Sequence, residues 1–82
     1  MKVLLTPDAK KQLNKLSRVT HSRIFRHLDY LKANPFAGKP LQRNLKGYYS
    51  LRAWPYRILY VIIKNKNTIL VIAVEHRQGV YK

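Results

Sequence analysis

Arg52, Trp54, Tyr56 and Arg57 stand within one six-residue window of this 82-residue chain. A guanidinium presents a planar fork that grips two oxygens of one phosphate. Flat rings beside such cations are the composition that stacks bases between phosphate contacts. Further on, His76 and Arg77 place an imidazole, a group able to give or take a proton near neutrality, next to another cation. The chemistry these types allow is the gripping of a polyanion with proton transfer beside it. Each arginine also reads as a solvated surface residue, His76 as a packing residue, and Trp54 as a ring closing the open end of the core beneath Pro55; the sequence leaves these readings open.

Lys and Arg number 17 against three Asp and Glu, so the formal charge is +14, a single-sign field that seeks nucleic acid, an anionic surface or an acidic protein. Asp8, Asp29 and Glu75 are dispersed in sequence, which excludes a carboxylate-pair hydrolase and a two-metal nuclease. Three glycines do not make a phosphate-cradling loop, and the absence of cysteine removes disulfides and thiolate chemistry. No metal and no other cofactor is expected. The longest apolar stretch, Ile58 to Ile63, is far short of the roughly 20 residues that span a bilayer. The opening Met1 to Leu5 is too short for a signal-peptide core before Thr6-Pro7 interrupts it, so the expected location is the cytoplasm, without membrane attachment.

The elements that must position these side chains follow from periodicity. Lys2 to Leu5 reads as a short strand, and Thr6-Pro7 supplies an N-cap followed by proline at the first helical position. Ala9, Leu13 and Leu16 form one apolar stripe. After a break at Ser17 to Thr20, the residues Ile24, Phe25, Leu28 and Leu31 form a second, until Asn34-Pro35 ends it. Pro35 to Gly47 has loop composition. Tyr48 to Trp54, Arg57 to Lys64 and Thr68 to Glu75 read as three strands joined by short turns, hence an antiparallel meander. Alternation puts Tyr49, Leu51 and Ala53 on a core face and Tyr48, Ser50, Arg52 and Trp54 on the other. The expectation is a single α+β domain over residues 1–82 in the order β-α-α-β-β-β.

With that order, the stretches Leu45-Lys46-Gly47-Tyr48-Tyr49-Ser50-Leu51-Arg52 and Tyr56-Arg57-Ile58-Leu59-Tyr60 resemble the RelE/ParE toxin superfamily, as does the ending Val74-Glu75-His76-Arg77-Gln78-Gly79-Val80-Tyr81. The resemblance implies a helix hairpin packed on a curved, mainly antiparallel sheet. It also implies a cognate acidic antitoxin as partner, in a toxin–antitoxin hetero-oligomer. In the RelE branch it implies entry into the ribosome and metal-independent cleavage of messenger RNA by 2′-hydroxyl attack; in the ParE branch, inhibition of DNA gyrase without chemistry of its own. A third reading is an RNA-binding domain that has lost catalysis. The RelE-like branch is favoured.

For the cleaving branch the resemblance assigns Arg57 to the scissile phosphate and Arg77 to transition-state charge or the leaving group. It places Tyr81 at the family's C-terminal tyrosine, where stacking suits a phenol better than base catalysis. His76 is the titrating candidate, and Arg52, Lys46, Trp54 and Tyr56 are the candidate RNA-binding residues. The chain departs from the cleaving branch at Tyr48 and Ser50, where lysines are common, and Lys46 is the nearby residue able to substitute.

Overall fold

A computed structural model describes residues 1–76. β1 (Lys2–Leu5) leads into α1 (Pro7–Asn14) and α2 (Arg18–Ala33); then come a two-residue strand β2 (Lys39–Pro40), β3 (Tyr48–Ala53), β4 (Tyr56–Ile63) and β5 (Thr68–His76). The five strands form one sheet in the order β1-β5-β4-β3-β2. β1 runs parallel to β5, and every other pairing is antiparallel. Both helices lie on one face. Ala9 and Leu13 of α1 and Ile24, Leu28 and Leu31 of α2 are buried against Ala53, Ile58, Tyr60, Ile69, Val71 and Val74 of the sheet. This is the expected helix hairpin on a mainly antiparallel sheet, and none of the described helices is long and apolar enough to cross a membrane.

The caps explain the helix boundaries. Thr6 Oγ1 accepts from Ala9 N and Pro7 occupies the first turn, where its missing N–H costs nothing. The second helix begins at Arg18 because Ser17 Oγ accepts from Thr20 N, so Ser17 is a cap where the sequence pattern suggests a break running to Thr20. Phe25, expected in the core, is 41% exposed and stacks against His21 instead.

The meander strands fall within a residue of their expected limits. The connector does not: expected as irregular throughout, Pro35 to Gly47 contains β2 and a 3-10 turn over Arg43–Leu45. β2 has two residues, one a proline, too few to show a period; its place is fixed by pairing to β3 rather than by its own propensity.

One irregularity in β5 matters for the site. Leu59 of β4 pairs with Ala73 and Tyr60 with Val71, so Ile72 is an extra residue on β5. Such a bulge reverses which side of the sheet the following residues face. Before it Ile69 and Val71 face the helices; after it Val74 does, and Ala73 and Glu75 are turned to the open face. Backbone groups near the bulge, beyond the end of β1, find partners on the α1 N-cap and on α1 itself. Thr6 Oγ1 donates to Ile72 O at 3.0 Å, Thr6 N donates to Val71 O, and Gln12 Oε1 accepts from Val74 N at 2.7 Å.

Candidate nucleic-acid interface

The face of the sheet away from the helices carries a cluster of cations. Residues opposed in an antiparallel ladder share a face. Arg52 opposes Arg57 across β3–β4, Ser50 opposes Leu59, and Lys39 of β2 opposes Ser50. Lys39, Ser50, Arg52 and Arg57 line an open cleft of about 400 Å³ together with Ala37, Leu41 and Leu51. On the other flank of Arg57 the ladder places Glu75. The cleft therefore has three cationic side chains and, at its β5 flank, one carboxylate.

Two arginines directly opposed across a ladder repel, and such like-charge pairs destabilise a sheet. An anionic oxygen cluster seated between them removes that repulsion, and it gains two forks able to bind it bidentately. Lys39 adds a point charge from the third strand. The arrangement can hold a phosphodiester by its non-bridging oxygens and stabilise extra negative charge there.

The other expected site residues are distributed around this cleft. Lys46 lines a second hollow of about 380 Å³ with Arg43 and Tyr48, and Leu41 lines both hollows, so the two are neighbours at the β2–β3 edge. Gly47, at φ 95°, makes the turn from that hollow into β3 in a conformation side chains resist. Trp54 stands at the β3–β4 turn with 54% of its surface exposed, so it does not close the core; its carbonyl accepts a hydrogen bond from Arg23 of α2. Tyr56 faces the helix side, packed against the core, and His76 opposes it, with the rings edge to face at 5.3 Å. The ladder thus puts Tyr56 and His76 on the side of the sheet away from Arg57. Arg77 and Tyr81 lie outside the described residues.

Three members of the site carry no mark in the sequence that singles them out. Lys39 sits in a loop-like stretch among many other lysines. Glu75 reads only as a dispersed acid, because strict alternation along β5 hides the reversal at Ile72. Tyr60, a core residue by its surroundings in sequence, is fully buried, and its hydroxyl accepts from Gly38 N at 3.0 Å and donates to Pro35 O at 2.8 Å. Burial pushes the Tyr60 phenol above its ordinary value, opposed by the Gly38 hydrogen bond and reinforced by Tyr49, so the group stays protonated and able to donate. Among the described residues no group of three His, Asp or Glu side chains gathers as a metal site.

The family described as the ParE toxin of type II toxin–antitoxin systems, parDE, matches residues 3–81. Toxin RelG of Mycobacterium tuberculosis is 34% identical over 82 residues, covering 98% of this chain and 94% of that protein. Among solved structures, the toxin–antitoxin complex RelBE2 of M. tuberculosis superposes with a TM-score of 0.86 at 33% identity, covering 93% of this chain and 96% of the matched one. The intact RelBE complex of E. coli superposes at 0.77 and 23% identity over 92% of this chain and 94% of that one, a likeness of fold. With the β-α-α-β-β-β order, to which the two-residue β2 is added, the helix-covered sheet and near-complete coverage in agreement, this chain is a type II toxin–antitoxin toxin of the RelE/ParE superfamily.

Proposed function

We infer that this toxin cuts messenger RNA on translating ribosomes, without a metal, by attack of a ribose 2′-hydroxyl on the adjacent phosphate. The observation that carries the reading is that Arg52 and Arg57, directly opposed across β3–β4, line one cleft, where a single phosphate can engage both. In the reaction the 2′-oxygen loses its proton and forms a bond to phosphorus. The bond to the 5′-oxygen breaks, and that oxygen takes up a proton. The products are a 2′,3′-cyclic phosphate and a 5′-hydroxyl.

Arg57 is assigned to the non-bridging oxygens, with Arg52 beside it; removing one such preorganised donor costs on the order of 100- to 1,000-fold in rate. Proton transfer is assigned to the end of β5, with Glu75 on the cleft face and His76 at the exposed end. Arg77 and Tyr81, next in sequence, are assigned to transition-state charge and base stacking. Lys46 and Trp54 extend the RNA contacts along the β2–β3 edge and the β3–β4 turn, whereas Tyr56, packed against the core on the helix side, is not assigned a contact in this cleft. The partners are the ribosome, its messenger and an acidic antitoxin. Support for the antitoxin is the +14 charge together with an apolar strip on the open sheet face, where Leu4 is 50% exposed beside half-buried Leu59, Val61 and Leu70. An acidic amphipathic segment suits such a surface.

A second reading, a gyrase inhibitor without catalysis, is favoured by the ParE description of the matching family and by Tyr48 and Ser50 standing where the cleaving branch commonly has lysines. Pulse labelling after induction separates the two. Protein synthesis should stop first while DNA synthesis continues, and Arg57→Ala should abolish the arrest. Early loss of DNA synthesis with intact messenger would transfer the assignment to gyrase.

A further inference from the structure

β2 is a two-residue strand at the sheet edge, too short to hold itself in place, yet its position is over-determined. On its N-terminal side Tyr60 Oη joins Gly38 N to Pro35 O. On its C-terminal side Leu41 N donates to Tyr48 O at 2.9 Å. Beneath it the Tyr60 ring stacks on Tyr49 at 5.4 Å with an 18° interplanar angle, and Phe36 meets Tyr49 edge-on at 6.0 Å. The segment is thus tied at both ends and supported by aromatic rings. What this fixed backbone presents to the open face is Lys39, in register with Ser50 and lining the same cleft as Arg52 and Arg57.

We propose that Lys39 is a phosphate-contacting cation of the Arg52–Arg57 cleft, and that the Tyr60 hydroxyl is the positioning group that holds its strand there. The proposal deepens the reading of the cleft as an RNA site and rests on it. A lysine on an edge strand has another use, discouraging strand-to-strand association between molecules. That use needs only a charge at the edge. The phosphate role needs the charge over the cleft, and the Tyr60 pin fixes the backbone that carries Lys39 in that place.

The test is binding of a single-stranded 2′-O-methyl RNA, which lacks the attacking hydroxyl, to the full chain across a salt series. One phosphate contact on single-stranded nucleic acid contributes roughly 0.7 to the slope of log affinity against log salt. Losing it therefore costs roughly eightfold in affinity at about 50 mM salt and roughly threefold at about 200 mM. Lys39→Gln should show both the weakened affinity and the reduced slope, and Lys39→Arg should restore them. Lys15→Gln, an exposed charge at the end of α1, should weaken binding by less than about twofold, because its interaction with the cleft is screened.

Tyr60→Phe should reduce the salt slope as Lys39→Gln does, and adding Lys39→Gln to it should change the slope no further. A merely structural tyrosine would lower thermal stability and leave the slope of the folded protein unchanged, which would overturn the positioning role. Equal losses in Lys39→Gln and Lys15→Gln would overturn the Lys39 assignment. Because this RNA cannot be cut, the binding result is independent of catalysis. A wild type that binds it in the expected salt-dependent way but leaves translated messenger intact would refute the nuclease reading and sustain Lys39 as a phosphate contact.

Discussion

Replacing Gly38 by alanine tests the pin at its tightest point. The added methyl would lie 2.6 Å from Tyr60 Oη, 2.9 Å from a Tyr60 ring carbon and 3.1 Å from the carbonyl oxygen of Ser50. Gly38 does not have a positive φ, so alanine can adopt its backbone and the cost is steric. Neither neighbour yields easily: Tyr60 has no exposed surface and stacks on Tyr49, and the Ser50 carbonyl belongs to a strand paired on both sides. Overpacking of this kind costs about 1–3 kcal/mol. Displacing Gly38 also strains or breaks its buried hydrogen bond to the phenol, which adds about 1 kcal/mol or more.

Tyr60→Phe alone removes the hydroxyl and leaves Gly38 N–H buried without that acceptor, a cost of about 1–3 kcal/mol; the half-exposed Pro35 segment can turn its carbonyl to water. In the double variant the alanine methyl enters space the hydroxyl has vacated. The two losses should therefore not add, and the double variant should be more stable than their sum by about 1–2 kcal/mol. A chain of this length has roughly 4–12 kcal/mol in total, so the comparison belongs in equilibrium urea unfolding, with the denaturant slopes checked for equality. Additivity within about 0.5 kcal/mol, or a neutral Gly38→Ala, would refute the clamp described between Gly38 and Tyr60.

Other expectations follow from the same contacts. Because the Tyr60 phenol is raised above its ordinary value near 10, the folded state binds that proton more tightly than the unfolded state does. Its contribution is fully present below about pH 10 and is lost as pH rises through the higher folded value, so the alkaline fall in Tm should be shallower in Tyr60→Phe than in wild type. Gln12→Ala should cost about 1–3 kcal/mol in urea unfolding by leaving Val74 N–H without its partner. Arg52→Gln should raise Tm slightly at low salt by relieving the opposition to Arg57, with the gain vanishing near 1 M salt, while RNA cleavage falls. Glu75→Gln should reduce cleavage more than His76→Gln, since Glu75 shares the face of Arg57; the reverse order would put proton transfer on the helix side of the sheet.

Much of the fold is legible in the sequence because its elements announce themselves locally. Thr6-Pro7 marks a helix start, the Ala9 and Leu13 spacing marks its buried stripe, and the β-branched and aromatic runs mark three strands. The order of those strands follows from their short connections. What is not legible depends on contacts distant in sequence. β2 exists because Tyr48 to Ser50 offers a free edge and because Tyr60, far along the chain, fixes Pro35 and Gly38. The extra residue at Ile72 leaves no mark in composition, yet it decides that Glu75 and not His76 flanks Arg57. The expected strand limits leave Pro55-Tyr56 as the turn and would set Arg57 opposite Trp54; the observed turn is Trp54-Pro55, which brings Arg52 opposite Arg57, and Lys39 has no sequence mark at all.

Cleavage in the Arg52–Arg57 cleft by the RNA's own 2′-hydroxyl leaves a distinct pair of ends. These can be mapped on the messenger in a reconstituted translation reaction, with wild type and Arg57→Ala at equal concentration. Cleavage by this route leaves 5′-hydroxyl ends within the translated message, each facing a 2′,3′-cyclic phosphate, and both should be absent with the variant and without ribosomes. Intact messenger with the wild type, 5′-phosphate ends, or ends that persist in Arg57→Ala would contradict this route.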